Sequence, residues 1–221
     1  MPDHGVPDAM SPVPTIRPIG VYALSGLAAD SERFFSIDTV RGYLISIDPQ
    51  TNNTVILNPH QLEDKERIKA EGLSLSGDTY WIAKDEEVFW CDRASADASS
   101  RTNPTFFAKL PYPVSGVAVW ENTVYVSCQK SGYIHLFDQT TGEPIEKFPQ
   151  PGVGEETLTA NKDGLWVCDK TEQTVYCLDS TTGEIQLSAL TPYGSPTGIA
   201  FYQPNAEQDP ICHIVYADEE P

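Results

Sequence analysis

Gly116-Val117-Ala118-Val119, then Val124-Tyr125-Val126-Ser127, then Tyr133-Ile134-His135-Leu136-Phe137-Asp138 is the stretch that decides how this chain folds. Three short β-branched and aromatic runs are split by polar turns, and the last runs into Asp138-Gln139-Thr140-Thr141-Gly142-Glu143. In such a turn the Asp side chain accepts from downstream amides and the Gly supplies positive φ. The same unit lies on both sides. Downstream, Thr157-Leu158-Thr159-Ala160 leads to Leu165-Trp166-Val167-Cys168-Asp169 and Val175-Tyr176-Cys177-Leu178-Asp179, and the turn returns as Asp179-Ser180-Thr181-Thr182-Gly183-Glu184. Gly198-Ile199-Ala200-Phe201 and His213-Ile214-Val215-Tyr216-Ala217-Asp218 follow. Upstream, Gly72-Leu73-Ser74-Leu75 and Gly26-Leu27-Ala28-Ala29 open two more units, whose later runs end on Asp92 and on Asp38 and Asp48.

Repeat starts at 26, 72, 116, 157 and 198 lie 46, 44, 41 and 41 residues apart. Units of about 40–45 residues with three or four short strands are the signature of a propeller blade. The sequence therefore predicts an all-β chain, a β-propeller of about five blades. The first strand of a blade lines a crowded axis, where Gly26, Gly72, Gly116 and Gly198 fit. The second carries Phe35, Trp81, Tyr125, Trp166 and Tyr216 into the space between blades, each worth roughly 2–3 kcal/mol when buried. This pattern favours core over a ligand cage for these rings.

The fifth unit shows two strands before Asp218-Glu219-Glu220-Pro221, so an incomplete, truncated ring is expected, with blades over 15–221. Thr15–Tyr22 could form an outer strand of a closing blade, and residues 1–14 read as a Pro-rich tail. An open ring would leave a bare apolar blade face. The expectation is that the chain is the front of a longer product or pairs with a second copy through its open edge. The alternative is a five-bladed ring closed imperfectly by its termini. His60–Lys69 reads as a charged connector and Gln203–Pro210 as a polar insertion.

Fourteen Lys and Arg against 32 Asp and Glu give a net charge of −18. That balance opposes nucleic acid and anionic membrane surfaces, which bind through cationic side chains. Eighteen Pro and 15 Gly, set between short apolar runs, exclude a helical bundle. No run approaches the ~20 apolar residues of a membrane span, and the start lacks the pattern of a secretory signal. A cytoplasmic chain with reduced cysteines is expected. The five cysteines form no CxxC pair, and a Cys168–Cys177 disulfide across a hairpin is the one alternative.

The repeats resemble NHL, YVTN and streptogramin-lyase-like propellers, most clearly through Val114-Ser115-Gly116-Val117-Ala118-Val119 with Thr123-Val124-Tyr125-Val126-Ser127. WD40-like blades share the same period. The stretches Leu110–Trp120, Val126–Ile134 and Leu165–Asp179 look like the N-terminal propeller of cyanobacterial transglutaminase-like-domain proteins. That resemblance implies a catalytic Cys-His-Asp region beyond Pro221. None of the five cysteines here maps onto its nucleophile.

Candidate chemistry inside the chain is sparse. Cys212 and His213 are adjacent on a strand and face opposite sides, which defeats a nucleophile–base pair. Lactonase-type and streptogramin-lyase-like propellers hold a divalent ion at the channel mouth. By that resemblance Glu71 and Glu156 are the candidate ligands for Ca²⁺ or Mg²⁺. Ser25, Ser115 and Thr197 at the corresponding places are weak ligands, and a solvated rim is the competing reading of the glutamates. Asp38, Asp48, Asp92, Asp138, Asp169, Asp179 and Asp218 recur at strand ends, which suits turn capping. The leading expectation is a non-catalytic binding or scaffold module, without cofactor, that offers its loop face to a protein or small ligand. The alternative is a metal-dependent lyase or hydrolase.

Overall fold

Each repeat folds as an antiparallel meander whose first strand lies innermost. The structure, a computed structural model, describes residues 24–39, 43–57, 70–94, 104–191 and 194–216. The first blade is β1 (Leu24–Ala29), β2 (Phe34–Asp38), β3 (Tyr43–Ile47) and β4 (Thr54–Ile56). The second is β5 (Ala70–Ser76), β6 (Thr79–Lys84), β7 (Glu87–Asp92) and β8 (Thr105–Lys109). The third is β9 (Gly116–Trp120), β10 (Thr123–Cys128), β11 (Tyr133–Asp138) and β12 (Pro144–Pro149). The fourth is β13 (Glu156–Asn161), β14 (Gly164–Asp169), β15 (Thr174–Leu178) and β16 (Ile185–Leu190). A fifth sheet pairs β17 (Pro196–Tyr202) with β18 (Ile211–Tyr216). The fold is a β-propeller.

Burial follows distance from the axis. Inner and second strands are sunk in the core, while outer strands expose alternate apolar residues such as Ile145 and Leu187. The glycines of the inner strands are there for backbone contact. A Cβ on Gly72 would stand 2.9 Å from Gly116 Cα, and one on Gly198 would stand 2.7 Å from the Gly26 carbonyl carbon. The large second-strand residues fill the wedges between blades. Phe35 and Tyr80 meet at 5.5 Å across the first wedge, and Trp166 meets Phe201 at 4.9 Å across the fourth. Phe35, Trp81 and Tyr125 are buried; Trp166 and Tyr216 are half-buried.

Two strands of the fifth blade are present among the described residues, yet the circle of inner strands is closed. Leu24, Leu27 and Phe34 of the first blade form one cluster with Ala200 and Val215 of the fifth. Phe34 packs on the Tyr202 ring at 4.9 Å and on the His213 ring at 4.7 Å. The blade face that an open ring would leave bare is therefore covered. The proposed Thr15–Tyr22 strand, the 1–14 tail, the charged connector and Asp218 lie outside the described residues.

Candidate functional site

Antiparallel order puts the starts of all inner strands at one end of the axis, and there the hydroxyls stitch blades together. Ser25 Oγ donates to the Glu71 carbonyl at 2.9 Å. Ser127 Oγ donates to the Glu156 carbonyl at 3.0 Å, and Ser115 Oγ lies 3.1 Å from Ser127 Oγ. The Glu156 N–H donates back to Ser115 Oγ at 3.4 Å. These serines, weak as metal ligands, satisfy backbone groups that the crowded axis removes from water.

Glu156 is not a solvated rim residue: only 1% of it is exposed. It stands directly opposite Asp169 in the β13–β14 ladder, and Asp169 is fully buried. The Pro-Gly-Val-Gly segment ahead of β13 folds over this pair. Asp169 Oδ2 accepts from the Gly154 N–H at 2.7 Å, and Oδ1 accepts from the Glu172 N–H at 2.6 Å. Glu156 Oε1 accepts from the Gly152 N–H at 3.3 Å. A Cβ on Gly152 would strike the Asp169 carboxyl, and one on Gly154 would fall 2.7 Å from Thr171 Cβ, so side chains are excluded at both points.

Glu156 Oε2 is buried and has no hydrogen-bond partner. The Gln150 amide faces the carboxyl and eases its ionisation, although Gln150 Nε2 stays outside hydrogen-bond geometry. Burial pushes the Glu156 pKa up to about 8; the Gly152 N–H opposes this and the Asp169 charge adds to it. At neutral pH this group is thus a neutral acid, able to donate an O–H hydrogen bond or a proton.

No family model matches the chain, and no curated protein matches it by sequence. Solved structures do. Glutaminyl cyclase from Myxococcus xanthus matches with TM-score 0.67 and 14% identity, over 90% of this chain and 88% of that one. A nidogen/laminin complex matches with TM-score 0.59 and 10% identity, over 91% and 71%. Streptogramin B lyase matches with TM-score 0.54 and 15% identity, over 83% and 60%. The likeness is one of fold.

Glu71, the other metal candidate, is half-buried on β5, and β9 lies between that strand and β13. Among the described residues no three His, Cys, Asp or Glu side chains converge. At the far end of the blades, Asp48 accepts from the Gln50 and Thr51 N–H groups, both at 2.8 Å. Asp138 does so from Thr140 and Thr141, and Asp179 from Thr181 and Thr182. These bonds hold all three carboxyls below the usual range. Asp92 is exposed at the end of β7, whereas Asp38 is buried at the end of β2.

All five cysteines are free and buried, so Cys168 and Cys177 are not bridged. Burial pushes the Cys212 thiol up to about 12 and raises Cys168 as well, which removes the thiolate that a nucleophile needs. Cys212 packs with Ile199 and Cys168, while its neighbour His213 packs on Phe34 across the opposite wedge.

Proposed function

We propose that this chain is a β-propeller binding module without a catalytic set of its own, recognising a protein or small ligand on the face around Glu156. The observation that carries this reading is the buried Oε2 of Glu156, which has no hydrogen-bond partner under a glycine-rich flap. A ligand carbonyl that displaces the Gly152–Gly154 segment would accept the O–H bond that the protein leaves unmade. The charge of −18 supports a partner other than nucleic acid or an anionic membrane. Five buried free thiols support a cytoplasmic setting. Attachment to a transglutaminase-like region rests on the sequence resemblance alone and is tested by reading the coding frame past Pro221. Analytical ultracentrifugation tests pairing of two copies.

A second reading, a metal-dependent lyase or hydrolase, has the name of the streptogramin B lyase and the position of Glu156 in its favour. A carboxylic acid kept protonated near pH 7 also suits general acid catalysis. The donor set suits a hard cation poorly: Ca²⁺ takes about six to eight oxygens, carboxylates prominent among them. Here one carboxyl holds its proton, and the serine hydroxyls bond the backbone. Calorimetry with millimolar Ca²⁺ and Mg²⁺ decides between the readings. The binding module gives no saturable heat. Saturable heat that disappears in the Glu71→Gln/Glu156→Gln double variant overturns it.

A further inference from the structure

A cleft of about 390 Å³ opens between the second and third blades at the end of the molecule away from Glu156. Trp81, Trp90, Phe106 and Phe107 of the second blade form one wall, and the Gln139–Gly142 turn of the third forms the other. Its volume falls within the range of small-molecule sites. Phe106 is 54% exposed, and Trp90 and Phe107 are half-buried, so ring surface is left open there.

The rings stand at steep angles to one another. Trp81 meets Phe107 at 4.9 Å and 89°. In an edge-to-face pair the ring that presents its edge keeps its electron-rich faces clear of its partner. The charged residues next in sequence to the described lining are all acidic: Asp78, Asp138 and Glu143. Among the described residues no Lys or Arg lines it. Asp138 directly precedes the Gln139 wall, and Asp92 pairs across the ladder with Thr79, which also lines the cleft. Arg93, the cation next in sequence to Asp92, is drawn to the first blade. There it pairs with Asp30 at 2.6 Å and covers the Phe35 ring at 5.0 Å. The fold already uses this chemistry twice, since Lys147 lies 4.1 Å from the Tyr133 ring centre.

We propose that this cleft binds a quaternary ammonium group, presented either by a free small molecule or by an alkylated lysine side chain. Aromatic faces attract such a cation, which has no N–H donors to satisfy, and the acidic rim and the net charge of the chain add to the attraction. The proposal does not rest on the Glu156 reading. Tryptophan fluorescence, reported by Trp81 and Trp90, tests it by titration with choline, with its neutral carbon isostere 3,3-dimethylbutanol, and with a trimethyllysine peptide.

Choline should saturate the signal and bind about tenfold tighter than the isostere, the effect of one desolvated cation–π contact. Phe106→Ala should weaken choline about fivefold or more, and its circular dichroism should match the parent, since the side chain is exposed. Tighter binding of the peptide than of choline, with the same Phe106 dependence, identifies a lysine-borne group; the reverse identifies a free small molecule. Equal affinity for choline and the isostere overturns the proposal in favour of an apolar slot. So does a lack of saturation by all three probes in folded protein.

Discussion

The third and fourth blades are near copies at one end and different molecules at the other. At the turn end Asp138 and Asp179 each bind two successive threonine N–H groups, at 2.9 and 2.7 Å and at 2.8 and 2.8 Å. At the axial end Ser115, whose hydroxyl meets that of Ser127, stands where the fourth blade has Glu156, and Cys128 stands where it has Asp169. Turn geometry is dictated by the hairpin and repeats with it. The axial end must only satisfy its backbone, and either hydroxyls or carboxyls do that. Chemistry can diverge where geometry does not constrain it.

The largest expected effect breaks the comparison through pH. The Glu156 carboxyl has its usual value of 4.5 in the unfolded chain and about 8 in the fold. Between those values the folded protein holds the extra proton, so stability falls as pH rises from about 5 to 9. Linkage bounds the loss at about 5 kcal/mol. Glu156→Gln, which resembles the protonated acid, should flatten this slope in urea melts at pH 5, 7 and 9. Equal slopes in parent and variant would mean that the buried carboxyl ionises normally. The capped turn aspartates have the opposite sign: their contribution is complete above the usual carboxylate pKa and fades as pH falls below it.

Next in size is Asp169→Ala, which strands the Gly154 and Glu172 N–H groups under the flap. A loss on the order of 3 kcal/mol at pH 7 is expected from denaturant midpoints, with early exchange of those two amides. An unchanged exchange pattern would show that the flap is held by something else. Ser127→Ala should cost about 1–2 kcal/mol, because it unties the third blade from the Glu156 carbonyl. Asp138→Ala and Asp179→Ala sharpen the other side of the comparison. As exposed turn caps they should cost about 1 kcal/mol each, and nearly the same amount. A difference larger than the error of the melts would show that the two turns are not equivalent.

The blades were legible because repetition separates architecture from accident. Gly72, Trp81 and Asp138 each have counterparts at a fixed period, and the wedge and turn roles follow. Glu156 was only half legible. Its place at the axial end could be read from the repeat, but Gly-Glu-Glu reads as solvated unless one sees that Gly152 and Gly154 let the chain lie over it. Asp169 looked like one more strand-end aspartate, since one of its N–H partners, Gly154, comes from the loop ahead of β13, fifteen residues away in the chain. The aromatic cleft draws its walls from two repeats, and no scan along the chain places Phe106 opposite Thr140. Closure of the circle had a similar obstacle. It depends on Phe34 meeting Tyr202 and His213, residues of different units with no shared motif.

That meeting has a consequence for synthesis. A ribosome releases Phe34 long before it reaches Tyr202 and His213. The first wedge to be made is therefore the last to be filled. Until those residues emerge its apolar wall needs shielding, and a contact of such long sequence separation is of the kind that forms late.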